Sequence, residues 1–344
     1  KAMKSLILKE PGQSPDIRVF DIPEPILSPD GVIVKVAAVG LCHHDISVMD
    51  GTLRRGTKPD VILGHEISGT VVDIGDDVSS VGMGDKVVTT LTSSCGVCAI
   101  CRVGNDYLCK YGFGYGHGIN GGFTEYIVVG EQNLINIGNI DLVQGALLSC
   151  PIAVSIKALL GEASLQSNEC CAVFGSGGGL GIHAAQLAQS IGSNAIAFTS
   201  SSGKLEQIAK YGVEQLFLLE EGIDPTDLIM ALTEDQGADV IFNPVGSEFL
   251  ETSIASLNYD GRALLVGEVS GRKDFFNVSD LMFKNAKLIG STGANKSHIN
   301  CAVDMVIKGM LTPVIEETFA FNDIKEAFTK MKNRETVGRV VLIP

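Results

Sequence analysis

Cys95, Cys98, Cys101 and Cys109 stand in the order C-x2-C-x2-C-x7-C. Four thiols in one short segment can close a tetrahedron around a single Zn²⁺, with every ligand supplied locally. A disulfide pair is the alternative, and no secretion signal speaks for it. A chain of 344 residues can build its core without a metal clip, so the clip is expected to fix one lobe onto a folded domain. A second set of candidates is dispersed. Cys42 lies in C-H-H-D, His65 in G-H-E and Cys150 in L-L-S-C-P. Drawn together, they would give three protein ligands and one open position, as a catalytic zinc requires. Such a metal polarises an oxygen and stabilises an alkoxide, so that hydride can leave or reach the neighbouring carbon. Taken singly, Cys42 and Cys150 read equally well as core residues, and His65 as a turn cap.

A third pattern suits a phosphate. The run Gly175-Ser176-Gly177-Gly178-Gly179-Leu180-Gly181 follows the apolar segment C-A-V-F and opens the helical pattern I-H-A-A-Q-L-A-Q-S-I. Glycines there let the backbone approach a pyrophosphate, whose charge the helix N-terminus favours. The second strand then ends in Thr199-Ser200-Ser201-Ser202-Gly203-Lys204, without an acid. An Asp or Glu at that point would bond the ribose hydroxyls and repel a 2′-phosphate. Ser200, Ser201 and the ammonium of Lys204 suit a phosphate, so NADP(H) is expected over NAD(H). The alternative is a solvated serine-rich turn that tolerates either cofactor.

The elements that must position these residues fall into two textures. Residues 32–39, 67–74, 86–91 and 124–129 are short β-branched runs bounded by turn formers, which predicts a β-rich lobe. From about residue 151, strands at 171–174, 194–199, 238–243 and 262–267 alternate with helical segments, which predicts a doubly wound parallel sheet. A helix at 299–310, a strand at 314–320, a helix at 322–332 and a strand at 337–343 form a tail expected to return to the first lobe. The expected division is 1–151 with a zinc lobe at 92–112, then 152–292, then 293–344. Hydrophobic content of 45% with 40 glycines reads as a globular, turn-rich α/β protein. A net charge of −14 argues against nucleic acid or an anionic membrane as the main partner. No apolar run reaches the roughly 20 residues needed to span a bilayer. Nine cysteines without export features suggest a reducing cytoplasm. Cys170, Cys171 and Cys301, outside the metal sets, are expected to be buried fillers.

Together these segments resemble the zinc-containing medium-chain dehydrogenases/reductases, the alcohol dehydrogenase family. G-H-E-I-S-G-T-V-V-D-I-G-D-D-V resembles that family's zinc signature, G-L-C-H-H-D its first catalytic ligand segment and L-L-S-C-P its third. The resemblance covers essentially the whole chain in the right order. It implies a GroES-like catalytic domain and a Rossmann domain, with two zinc ions per chain. Cys42, His65 and Cys150 are implied as catalytic zinc ligands, with Glu66 able to serve as a fourth. Asp45 is implied as the carboxylate that orients the ligands. His43, Val266, Gly267, Gly293 and Arg339 resemble cofactor contacts, beside Gly175, Gly178, Gly179, Leu180 and Gly181. Homodimers or homotetramers are implied.

One departure from the family concerns the proton. A Ser or Thr hydroxyl usually stands two residues after the first ligand cysteine, often with a histidine three residues further on. Here His44 and Ser47 carry the same two chemistries in reversed order, and a relay through them is expected. The substrate implied is an alcohol, aldehyde or ketone. The glycine pattern, the reversed relay and V-S-G-R-K also resemble reductases of an activated C=C bond, such as an acryloyl-type enoyl-CoA. A nucleotide-binding homologue without catalysis is the third reading.

Overall fold

The computed structural model describes residues 1–344, which divide into two compact units. The first comprises 1–153, 293–307 and 315–344; the second comprises 154–292 and 308–314. The segment 308–314 thus groups with the second unit, whereas the sequence placed all of 293–344 with the first.

The first unit is β-rich. Its main sheet runs Leu134–Asn136, Lys86–Thr89, Glu66–Ile74, Gly31–Leu41, Arg339–Ile343 and Ile315–Ala320, and Tyr126–Gly130 also pairs with Gly31–Leu41. The long strand Gly31–Leu41 is its spine. It pairs antiparallel with Glu66–Ile74 on one side, and with Tyr126–Gly130 and then Arg339–Ile343 on the other. Val32, Val34, Val36 and Val39 are buried, while Lys35 is exposed. The chain's last strand therefore completes the sheet that its first third begins. A hairpin of Ala2–Glu10 and Asp16–Pro23, extended by Val61–Ile62, forms a separate small sheet. Sequence patterning did not mark this hairpin. Phe123, Leu63, Ile67 and Met49 sit at the centre of the core, all fully buried.

The second unit is a six-stranded parallel sheet. Its order is Gln215–Leu218, Asn194–Thr199, Cys170–Val173, Ala238–Asn243, Leu257–Leu265 and Lys287–Gly290. In chain order that is 3-2-1-4-5-6, the doubly wound arrangement whose binding crevice lies where the order reverses. The expected fold class is borne out. Two edge strands, Gln215–Leu218 and Lys287–Gly290, were not foreseen. Phe174 anchors the core, stacked on Phe249 at 4.5 Å and Phe198 at 5.5 Å between ring centroids. Cys171 is buried, but Cys170 and Cys301 are only half-buried, which corrects their reading as core fillers. Cys170 begins its strand at the end of the sheet, and Cys301 lies on a helix face that is not wholly covered.

Candidate active site

Within the first unit the sheet brings the remote ligand candidates together. Cys42 follows the spine strand and caps the helix His43–Met49. His65 precedes the strand Glu66–Ile74, whose Glu66 pairs in register with Gly40. A Cβ on Gly40 would stand 2.0 Å from Glu66 Oε2, so glycine there leaves the carboxylate its space. Cys150 comes from the turn Leu148–Ile152, where the helix widens and the Ile152 N–H reaches Leu147 O. Pro151 has no N–H for a regular ladder, which accounts for the local widening. One ligand atom each from Cys42, His65, Glu66 and Cys150 lies within 4.8 Å of the others.

Asp45 and Arg339 organise this cluster from either side. Asp45 is fully buried. Its Oδ2 accepts the Cys42 N–H at 2.9 Å and its Oδ1 the Gly64 N–H at 3.2 Å, with His65 Nδ1 at 3.5 Å from Oδ1. One carboxylate thereby ties down both candidate segments and stands on the Nδ1 side of the imidazole, where it could orient a metal-bound ring. Arg339, expected beside a cofactor, has its guanidinium on Glu66, with Nε 3.1 Å and Nη2 3.0 Å from Oε1. Nη2 also reaches Cys42 Sγ at 3.5 Å and Cys150 Sγ at 3.8 Å. Only the topology reveals this contact.

The electrostatics of the cluster suit a divalent cation. The Cys150 thiol, donating toward Cys42, holds Cys42 well below an ordinary thiol, and Cys150 itself is driven well above one. Burial pushes Glu66 up to about 6 against the pull of Arg339. Burial disfavours charge on His65, yet Asp45 and Cys42 outweigh it and raise the imidazole well above its usual value. Burial also lowers His44. With both thiols ionised and His65 neutral, as metal ligands must be, Cys42, Cys150, Glu66 and Asp45 would oppose Arg339 alone, and uncompensated buried charge is costly. A divalent cation would offset two of those charges. The residues therefore fit zinc.

The four-cysteine lobe has a different geometry. Its Sγ atoms are separated by 3.5 Å (Cys98–Cys101), 3.6 Å (Cys95–Cys109), 4.0 Å (Cys95–Cys101) and 4.0 Å (Cys98–Cys109). A tetrahedron of thiolates at Zn–S of about 2.3 Å has edges of about 3.8 Å. All four cysteines are free, and these separations suit a shared metal rather than a disulfide pair. Backbone N–H groups of Val97 and Cys98 lower Cys95 to about 6, whereas burial lifts Cys101 to about 12.

The structure pairs His44 with His117, not with its expected partner Ser47. His44 Nε2 lies 3.0 Å from His117 Nδ1, not on Ser47, and His117 Nε2 lies 2.8 Å from Arg55 O. His44 is thus turned toward the loop that carries His117. Sequence reasoning missed His117, which sits alone in Y-G-H-G with no spacing signal.

In the second unit the glycine run follows Cys170–Val173, and Gly178 precedes the helix Gly179–Ser190. Gly175 has φ +59°, and a Cβ on Gly181 would stand 2.3 Å from Gly175 O, so the tight turn requires glycine. Leu180 lies in the first helical turn. Ser176 is buried and ties the turn down, its Oγ donating to Val173 O at 3.0 Å and accepting the Phe198 N–H at 3.1 Å. Ser200 is exposed and Ser201 half-buried at the end of Asn194–Thr199. The Lys204 side chain folds over the glycine turn, its Nζ 3.8 Å from where a Gly177 Cβ would be. Val266 and Gly267 follow Leu257–Leu265, and the Val266 N–H bonds Asn243 O at 3.0 Å. His43, half-buried, opens its helix, and Gly293 lies against Tyr107 in the first unit.

Comparison with known proteins agrees with this geometry. Residues 28–139 match the alcohol dehydrogenase GroES-like domain and residues 179–308 the zinc-binding dehydrogenase domain. An acryloyl-coenzyme A reductase of Sulfurisphaera tokodaii is 27% identical over 99% of this chain and 100% of its own length. An NAD-dependent alcohol dehydrogenase of the same organism is 28% identical over 99% and 100%. The structure of the alcohol dehydrogenase of the archaeon Aeropyrum pernix superposes with a TM-score of 0.91 at 25% identity, covering 99% of this chain and 100% of that one. Two dispersed thiols and an imidazole gathered on a GroES-like sheet, with a 3-2-1-4-5-6 nucleotide fold, make this chain an oxidoreductase of the zinc-binding medium-chain dehydrogenase/reductase family.

Proposed function

We propose that the protein is a zinc-dependent oxidoreductase exchanging hydride between NADP(H) and an alcohol and its aldehyde or ketone. The convergence of Cys42, His65, Glu66 and Cys150 ligand atoms within 4.8 Å carries this reading. A bound zinc would polarise the substrate oxygen, and the nicotinamide would supply or accept the hydride. Cys42, His65 and Cys150 hold the metal. Glu66, held by Arg339, would stand beside the metal as a further oxygen donor. Asp45 sets the imidazole. His44 meets the substrate hydroxyl and passes its proton to His117, which adjoins the exposed loop at Arg55. Four cysteines hold a second, structural zinc.

The absence of an acid after Asn194–Thr199, with Lys204 folded over the glycine turn, supports NADP(H). Relatives point both ways: one is named an NADP⁺-linked D-arabinose 1-dehydrogenase, others NAD-dependent alcohol dehydrogenases. Lys204→Ala is expected to raise KM for NADPH by about tenfold, the loss of one charge-assisted contact, while KM for NADH stays unchanged. Equal effects on both cofactors would remove the phosphate role.

A second reading is reduction of an activated C=C bond. Two of the similar proteins are named acryloyl-coenzyme A reductases, and an imidazole stands where the alcohol-oxidising pattern has a hydroxyl. Reduced-cofactor absorbance followed with a panel of aldehydes and ketones against an enoyl-CoA thioester separates the two. Faster turnover of the thioester would replace the carbonyl reading.

A further inference from the structure

The four-cysteine lobe grips the start of the helix Lys296–Ile307, and that helix supports the turn that presents Cys150. Three contacts make the grip. Asn295, immediately before the helix, takes the His298 N–H on Oδ1 at 3.0 Å and donates from Nδ2 to Gly104 O at 2.8 Å. Asp106 is buried in the lobe and lines one cavity with Lys296, whose ammonium it and Glu131 both attract. Gly293, at φ +64°, lies so close to the Tyr107 ring that a Cβ would stand 3.0 Å from it. From there the helix runs with Ile299, Ala302, Val303 and Met305 buried. It packs on the turn Leu148–Ile152, which also packs on the strand Glu66–Ile74. Closely packed interiors do not absorb displacement gradually, so a shift of the helix start moves what rests on it.

We propose that Asp106 and Asn295 are positioning residues for Cys150, making the hold on the catalytic cation depend on the grip of the distant lobe. This rests on the reading that both cysteine sets bind zinc. The lobe is then not only a brace for the first unit. It fixes the helix that sets where the Cys150 sulfur stands relative to Cys42 and His65.

Two variants test this in the full-length, zinc-loaded protein. Asn295→Ser keeps a good helix cap but is too short to reach Gly104. Asp106→Asn keeps the size of the side chain and removes the charge that attracts Lys296. Zinc release to a chromogenic chelator is followed for each, and the two sites are told apart after cobalt substitution by their two-thiolate and four-thiolate absorption bands. In both variants release from the Cys42–His65–Cys150 site is expected to quicken by about tenfold, the low end of what outer partners of metal ligands give. Release from the four-cysteine site and the melting temperature stay near wild type. Wild-type release at the catalytic site in both variants overturns the proposal. So does parallel quickening at both sites with a lowered melting temperature, which is general loosening. A wild-type protein that holds one zinc overturns the metal reading itself, and the proposal with it.

Discussion

The two cysteine clusters of the first unit are built on opposite plans. The lobe draws four sulfurs from fifteen consecutive positions, Cys95 to Cys109, and keeps three of them half-exposed. The other cluster draws Cys42, His65, Glu66 and Cys150 from a long stretch of chain, adds Arg339 from the last strand and buries nearly everything. A local set needs only its own turns to be right. An assembled set needs the whole sheet, because Gly31–Leu41 must pair with both Glu66–Ile74 and Arg339–Ile343 before its members meet. Stability and chemistry therefore divide between the clusters. The local one can be rigid and closed, whereas the assembled one gathers unlike donors whose protonation each neighbour alters.

The largest expected effect breaks the clusters apart by function. Cys42→Ala should leave one zinc per chain and lower kcat/KM by about 10³-fold or more, since metal polarisation supplies several kcal/mol of transition-state stabilisation. Its melting temperature should change little, because the substitution also removes a buried charge. Cys98→Ser should empty the lobe, with the reverse signature of a clearly lowered melting temperature; zinc then leaves the Cys42–His65–Cys150 site faster than in wild type, and turnover remains in the molecules that keep it. Metal analysis, thermal melts and steady-state kinetics on both proteins check this. Full hydride transfer by the Cys42→Ala protein would end the assigned metal role.

A smaller effect sharpens the claim that the assembled cluster depends on its surroundings. Asp45 stands outside the Cys42–His65–Glu66–Cys150 group, yet it accepts N–H groups from the Cys42 and Gly64 backbone and lies against His65 Nδ1. Asp45→Ala is expected to weaken zinc at that site by about 10- to 100-fold without touching the four-cysteine site. Competition with a chelator of known affinity measures it. An unchanged affinity would mean that the backbone alone holds Cys42 and His65 in place.

The same contrast decides what was legible in the sequence. Spacing sufficed for Cys95, Cys98, Cys101 and Cys109, because a turn-sized segment admits few geometries. Central strands such as Cys170–Val173 were legible as continuous apolar runs, the mark of parallel strands covered on both faces. The edge strands Gln215–Leu218 and Lys287–Gly290 are short and only half-covered, so they carry no such run. The hairpin Ala2–Glu10 with Asp16–Pro23 mixes charged and apolar residues on both strands, which blurs its period. Cys42, His65 and Cys150 came from family likeness rather than from spacing. His117 and the Arg339–Glu66 contact were invisible, since 73 and 273 residues separate the partners and nothing local announces them. The same distance explains why Ser47, the neighbour in sequence, was named for the relay.

The smallest effect asks whether long-range assembly is fragile where no metal is involved. In the second unit Arg262 meets Glu169 across 93 residues in a two-point pair, with both N···O distances 2.8 Å, and also donates to Ala163 O. Hydrogen bonds from Arg262 hold the Glu169 carboxyl below its ordinary value. The pair's contribution is then present above the unfolded pKa of about 4.3 and is lost as pH falls through the lower folded value. Glu169→Gln should cost under about 1 kcal/mol at neutral pH, because a partly exposed pair is screened by solvent. The gap in melting temperature between wild type and variant should narrow as pH drops below 4. A gap that persists unchanged into strong acid would assign the stabilisation to the Ala163 contact instead. Assembly over long sequence distances would then rest on backbone acceptors in this unit, and the demand for a compensating charge would be peculiar to the buried thiols around Cys42.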